Sequence, residues 1–243
     1  MGFRQAVAIG ITAFVPLAHA QESPEWKGEA ELGVLITSGN TDETILNSRF
    51  ALAHETERWR NNGELSSKYS ESDNETTAEQ YKAFAKTDYK FSERQYWFLR
   101  GAYEADRFSG YDFESSLTTG YGNRVWRQGE RSFLDLSAGL GYRYNKLDDT
   151  NEDGEDAEKE AIARLAGQFD YALSDNALFR QTLSSEIGLD ENNVITESET
   201  ALQANVVGNL SMKAAYRVKH LSSPPPDSEA TDTEMSLSLL YGF

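Results

Sequence analysis

Apolar and polar residues alternate along nearly the whole chain, and this period of two constrains the fold more than any other feature. The first alternating segment, 26–36, has one apolar and one charged face, and twelve such segments follow one another up to residue 243. No Asp, Glu, Lys or Arg interrupts the apolar faces. Because alternate side chains of a β-strand point to opposite faces, the sequence predicts an all-β protein of twelve strands.

The opposite faces of these segments carry charges of both signs. A soluble sandwich would turn its charged faces to water and its apolar faces to a core. Twelve consecutive strands of about 9 to 11 residues better fit a closed barrel, whose apolar face contacts lipid and whose polar face lines the lumen. Ring closure also satisfies the backbone groups of every strand edge. We therefore predict a 12-stranded antiparallel transmembrane up-and-down β-barrel.

The connections between the strands support this prediction. Those after even-numbered segments are short, whereas those after odd-numbered segments are longer and acidic, including 71–79, 106–114, 146–160 and 221–232. Outer-membrane barrels have short periplasmic turns and longer outer loops. Most of the net charge of −17, from 40 acidic and 23 basic residues, falls in these outer loops.

Composition excludes several classes of protein. The acidic balance argues against a nucleic-acid partner, because phosphates require clustered cations. The chain has no Cys, which excludes disulfides, thiolate zinc sites and cysteine nucleophiles. After residue 20 no stretch of about 18 apolar residues remains, so no transmembrane helix is expected.

The first 20 residues predict a cleaved secretory signal peptide. A positive segment 1–4 precedes an apolar segment 6–18, and Ala18-His19-Ala20 forms an A-x-A cleavage site before Gln21. The alternative is a buried N-terminal helix. Cleavage would leave residues 21–243 as an exported outer-membrane barrel.

The last residues predict an assembly signal. Leu239, Tyr241 and a terminal Phe243 continue the alternation to the end of the chain. This ending resembles the signature by which the barrel-assembly machinery takes up its substrates, and it implies that machinery and periplasmic chaperones as partners. The alternative is an ordinary last strand.

Several sequence motifs resemble one family. Segment 26–33 is followed by Ser38-Gly39-Asn40-Thr41, and glycine-rich segments occur at 120–124 and 139–143. In these motifs the chain resembles the salt-induced outer-membrane proteins, known as domain of unknown function 481. The resemblance implies a barrel in the Gram-negative outer membrane, surrounded by lipid and lipopolysaccharide. It assigns no site residues.

One acidic loop matches the EF-hand calcium pattern, in which oxygen ligands surround a turning glycine. The pattern places Gly154 at position 6, although strands flank the loop and position 8 is Asp156. The alternative is a solvated loop that associates loosely with Ca²⁺ or Mg²⁺, and no other cofactor is expected. The candidate metal ligands are Asp149, Asn151, Asp153 and Glu160.

The predicted lumen carries charges on adjacent strands. Glu197 and Glu199 face inward on strand ten, and Lys213, Arg217 and Lys219 form a basic stripe on strand eleven. Neighbouring stripes of opposite sign favour salt bridges that fill a narrow barrel. An open, water-filled channel is the alternative.

We predict no enzymatic activity and no catalytic residue. A lipid-facing hydrolase would need a paired Ser and His, and only His220 with Ser198 comes near that requirement. The sequence favours a structural barrel or narrow channel in envelope permeability and osmotic or acid stress tolerance. A surface module whose acidic loops bind divalent cations or a partner is the alternative, and a hydrolase is a distant third.

Overall fold

The computed structural model describes residues 26–37, 43–72, 75–150, 154–190, 193–224 and 229–243, and the signal-peptide prediction lies outside them. Within these ranges the chain forms twelve β-strands. None of the described residues forms a helix long and apolar enough to cross a membrane. The strands are β1 Trp26–Thr37, β2 Glu43–Glu55, β3 Trp59–Ser72, β4 Glu75–Lys90, β5 Gln95–Asp106, β6 Tyr111–Gln128, β7 Ser132–Leu147, β8 Ala157–Ser174, β9 Ala177–Gly188, β10 Val194–Val207, β11 Leu210–Leu221 and β12 Thr231–Gly242.

The strands form one closed antiparallel barrel. Each strand pairs with its neighbours in sequence, and β1 pairs with β12 to close the ring. This confirms the predicted fold class. Closure joins the two end strands, which is why a chain of simple hairpins forms a stable unit.

The strands are longer than predicted, with 12 to 18 residues each. The β-ladders extend beyond the lipid-facing apolar residues, and charged side chains close to the strand ends form ion pairs there, such as Arg107 with Glu79 and Lys146 with Asp156. Much of the predicted loop 71–79 therefore lies in β3 and β4. The predicted loop 146–160 shrinks in the same way, because β7 ends at Leu147 and β8 begins at Ala157.

The two faces of the wall differ as the alternation predicts. On β7, Leu140 is 63% exposed, whereas Arg143 is 2% exposed on the opposite face. Exposed aromatic side chains also pack in pairs on the outer face, as Trp59 does with Tyr89 at a ring distance of 5.1 Å. The outer face is therefore apolar and the inner face charged.

The barrel has two different rims. The terminal rim is the end at which β1 begins and β12 ends, and backbone hydrogen bonds between Gly28 and Phe243 close it. The turns on this rim are short, and Gly129 and Gly208 adopt positive φ angles there, a conformation that favours glycine. The opposite end, with the longer connections, is the loop rim.

Candidate functional site in the lumen

A group of five charged side chains, the cross-lumen cluster, bridges the interior of the barrel. Lys82 on β4 lies 3.1 Å from a Glu104 oxygen on β5 and 3.4 Å from a Glu197 oxygen on β10. Lys219 on β11 lies 3.0 Å from Glu104 and 2.7 Å from Glu114 on β6. Two cations and three carboxylates thus join opposite walls of the ring.

The cross-lumen cluster divides the lumen, because β4 and β10 lie half way round the ring from each other, as do β5 and β11. On one side is the seam sector, formed by β12, β1, β2 and β3 around the closure of the ring. On the other is the packed sector, formed by β5 to β9. Neither sector has the width of the whole barrel.

Aromatic rings fill the packed sector near the terminal rim. Tyr96 is 4% exposed, and its ring occupies the position where a Cβ at Gly122 on β6 would lie. Phe98 is similarly buried against Gly139 on β7. The guanidinium carbon of Arg60 lies 4.7 Å from the centre of the Tyr96 ring, in a cation–π contact.

An apolar cap covers part of the loop rim. It consists of Tyr111, Leu147, Ile195 and Leu221, which are buried together although they come from different hairpins. They stand at the loop-rim ends of β6, β7, β10 and β11. The cap therefore covers the packed sector and the middle of the lumen. It contains no residue of β12, β1, β2 or β3.

The seam sector carries its own ion pairs. Arg49 on β2 lies 2.7 Å from Glu64 on β3 and 3.1 Å from Glu29 on β1. Nearer the loop rim, Lys68 on β3 lies 3.0 Å from Glu234 on β12. These pairs leave space between them, in contrast to the packed sector.

The structure brings all five lumen residues of the sequence prediction onto the inner face. Glu199 lies between Lys213 at 3.3 Å and Arg217 at 2.8 Å, on the neighbouring strand β11. Glu197 and Lys219 belong to the cross-lumen cluster. The expected pairing of adjacent stripes therefore accounts for only some of their contacts, and the others reach across the barrel.

The calcium pattern stays a prediction, because Asn151 and Asp153 lie outside the described residues. Glu160, the twelfth position of the pattern, lies within β8 and not in the loop. Its side chain is buried and forms an ion pair with Arg143. Asp156 is 2.5 Å from Lys146, which lowers the pKa of this carboxyl. Among the described residues no group of three or more His, Asp or Glu could hold a metal ion.

The Ser and His considered for a hydrolase are not paired. The Nδ1 atom of His220 lies 2.8 Å from the hydroxyl of Thr231, whereas Ser198 accepts a hydrogen bond from Gln181. In the ladder His220 stands opposite Thr196, and Ser198 opposite Val218. The structure therefore does not bring this hydroxyl and this imidazole together.

The predicted assembly residues form an exposed stripe on β12. Leu239, Tyr241 and Phe243 are each about half exposed on the outer face. The Phe243 ring covers the backbone at Gly28, where an added Cβ would meet its atoms, and it lies 6.1 Å from the Phe50 ring. The last residue therefore also closes the ring. Its role as an assembly signal stays a prediction.

Comparison with known proteins identifies the family of this chain. The family described as "Protein of unknown function, DUF481" matches residues 30–243. The chain belongs to this family. This confirms the resemblance found in the sequence motifs. The chain is also similar to the protein of Escherichia coli K12 described as "Uncharacterized protein YdiY". The two sequences are 29% identical over 227 residues, which cover 92% of this chain and 86% of YdiY.

Solved structures resemble this DUF481 protein in fold. An outer-membrane channel from Pseudomonas putida F1, described as COG4313, has a TM-score of 0.51 and 13% identity, over 95% of this chain and 100% of that one. The translocator domain of the autotransporter NalP from Neisseria meningitidis has a TM-score of 0.48 and 15% identity, over 90% and 86% of the two chains. At these identities the likeness concerns the fold alone.

Sequence reasoning missed the apolar cap and the partners of the cross-lumen cluster. A signal for the cap was present, because Leu147, Ile195 and Leu221 are apolar residues at inward positions close to strand ends. Leu147 and Leu221 fall within the predicted loops 146–160 and 221–232, so the sequence analysis did not place them in a core. No comparable signal was available for the cluster, since its members come from five different strands.

Proposed function

We propose that this protein is an integral barrel of the Gram-negative outer membrane that acts as a narrow channel. The cross-lumen cluster carries this proposal, because it divides the lumen and restricts any passage to one side of the barrel. The apolar outer face fits the lipid of a bilayer, and both termini would lie on the periplasmic side. The similar fold of a protein described as an outer-membrane channel supports the same function.

Such a channel would contribute to envelope permeability and to osmotic or acid stress tolerance without admitting large solutes. Charged side chains on opposite walls favour the passage of small ions over that of bulky neutral molecules. Its surroundings would be outer-membrane lipid and lipopolysaccharide. Barrel-assembly machinery and periplasmic chaperones would insert it, with Phe243 at the end of the recognised strand.

Planar-bilayer recording tests the channel function. We expect small unit currents from the wild-type barrel and larger ones from Lys219→Ala, because loss of this long side chain widens the passage beside the cross-lumen cluster. Lys159→Ala is the matched control, since Lys159 is exposed on the outer face of β8 beside the Tyr144 ring. Silent bilayers for all three folded proteins would refute the channel and leave a structural barrel.

A second candidate function is loose association of divalent cations at the loop rim, where no group of three or more His, Asp or Glu among the described residues forms a metal site. Asp148 is exposed after β7, and desolvation, a hydrogen bond with Asp112 and the charges of Asp112 and Asp149 raise its pKa. A divalent cation close to these carboxylates would offset the repulsion between them. Cations bound there would also link the barrel to lipopolysaccharide phosphates.

Calcium titration of the full barrel tests this second function. Binding would raise the free energy of unfolding by about 1.4 kcal/mol at a calcium concentration of ten times Kd. We expect Asp148→Asn to abolish the rise in melting temperature. Asp175→Asn, in a turn on the terminal rim, should leave it intact. An equal response of the two variants would contradict a site at Asp148.

A further inference from the structure

The two sectors of the lumen differ in how tightly they are filled. In the packed sector, Thr118 on β6 is 1% exposed and Ile162 on β8 is fully buried. A Cβ added at Gly120 or Gly139 would lie within 2.4 Å of the partner strand's backbone. Buried side chains therefore fill much of this side of the interior.

The seam sector contains a cavity of about 60 Å³, which we name the seam cavity. Its lining is polar and includes Glu31, Arg49, Lys68, Lys213, Arg217 and Glu234. The side-chain oxygen of Asn47, which also lines the cavity, is buried and has no partner among the described residues. A polar cavity of this size has room and hydrogen-bonding groups for water.

A second space opens below it at the terminal rim. This vestibule has a volume of about 300 Å³ and is lined by Glu29, Asn205 and Ser211. Each cavity is lined by residues of β1, β10, β11 and β12, so the two spaces are stacked along the same wall. Lys213 stands between them, 3.4 Å from Glu31 and 3.3 Å from Glu199.

The closing ladder of the ring is short beside the seam cavity. The residue pairs of β1 and β12 run from Glu29–Gly242 to Leu32–Leu239, and none is found above Leu32 among the described residues. Every other pair of neighbouring strands is joined over a longer ladder, as for β1 and β2. Backbone groups left unpaired at membrane depth are tolerated where they are buried in protein or line a water-filled space. The short ladder beside the seam cavity fits the second case.

We propose that water and small inorganic ions cross the barrel along the seam sector, through the vestibule and the seam cavity, with Lys213 as the gate between them. The route then passes Lys68 and Glu234 toward the loop rim, and among the described residues the apolar cap has no member on β12, β1, β2 or β3. The cross-lumen cluster forms one wall of the passage. This inference rests on the proposed channel function and names its route, its gate and its solute class.

Thiol labelling tests the route, because the chain has no native Cys. Ser236→Cys on β12 and Ser66→Cys on β3 would place thiols on two walls of the seam cavity. Thr118→Cys is the control in the packed sector, where the hydroxyl has no partner to lose among the described residues. The change of gel mobility on heating identifies the folded barrels. Labelling rates of the unfolded variants in urea correct for differences in intrinsic thiol reactivity.

We expect Ag⁺, a thiol-reactive inorganic cation of the proposed solute class, to modify both seam thiols from either side of the membrane, at least about tenfold faster than the Thr118→Cys thiol. A maleimide on a long polyethylene glycol chain should react with none of the three. Equal rates in the two sectors, or labelling of the seam thiols from one side only, would overturn the route.

Labelling also separates this inference from the channel function. If both seam thiols react from either side while bilayers stay silent, the water-filled route stands and the channel function fails. If bilayers conduct while the Thr118→Cys thiol reacts faster than the seam thiols, the channel function stands and the route fails. If the bilayers stay silent, Lys213→Met should still raise the rate at which the Ser236→Cys thiol is labelled from the terminal-rim side of the membrane. An unchanged rate would exclude Lys213 as the gate.

Discussion

Replacement of Lys219 by Met is expected to lower the free energy of unfolding by about 3–5 kcal/mol, the usual cost of breaking a buried ion pair. The Lys219 side chain is 10% exposed, and its ammonium lies within 3.0 Å of carboxylate oxygens of both Glu104 and Glu114. Met fills nearly the same volume but leaves Glu114 buried without its cation, whereas Glu104 keeps its ion pair with Lys82. The shift in the urea midpoint, followed by tryptophan fluorescence of the barrel in lipid vesicles, measures the loss.

Two further variants make the Lys219 prediction specific. Lys159→Met removes an exposed lysine from the outer face, and we expect a change within about 0.5 kcal/mol. The double variant Glu114→Gln, Lys219→Met removes the uncompensated charge and should recover most of the lost stability. A double variant as unstable as Lys219→Met would show that side-chain packing, and not charge, controls stability at this position.

The second large effect is expected for Gly122→Ala, which should lower the free energy of unfolding by about 1–3 kcal/mol through overpacking. A Cβ at this position would lie 2.2 Å from the Tyr96 ring. The ring has little space to move, because it is 4% exposed and lies beneath the cations of Arg60 and Lys86. Urea unfolding under the same conditions provides the measurement.

Gly101→Ala is the matched control for Gly122→Ala. Gly101 is also a strand glycine, but an added Cβ would meet only a Leu117 methyl group at 4.0 Å. We expect no loss there, since Ala restricts the unfolded chain more than Gly does. In a Tyr96→Leu background the cost of Gly122→Ala should largely disappear, as a double-mutant cycle would reveal. An undiminished cost would locate the strain in the backbone and not in the Tyr96 ring.

Most of the fold could be predicted from the sequence because alternation is a local property. Each segment such as 26–36 specifies its own lipid face and lumen face, and neighbouring segments pair as hairpins because the connections are short. The strand ends were harder to predict. Ladder pairing continues through charged positions such as Glu71 and Glu160, where composition alone suggested loops.

The metal prediction illustrates the same difficulty at one residue. The twelve-residue pattern treats Asp149 and Glu160 as parts of one loop. In the barrel, β8 has already begun at Ala157, and the alternation turns Glu160 into the lumen beside Arg143. The twelfth position of the pattern is thus part of a strand, and calcium binding by the loop stays a prediction.

The sequence by itself determined that the chain forms twelve strands, that one face of each is apolar and that charges of both signs line the interior. Only the tertiary structure decided which charges meet, where the cap closes the loop rim and on which side the interior stays open. The reason is physical. Strand faces follow from a period of two, whereas a contact such as that of Lys219 with Glu104, 115 residues apart, depends on closure of the ring and the register of every ladder between them.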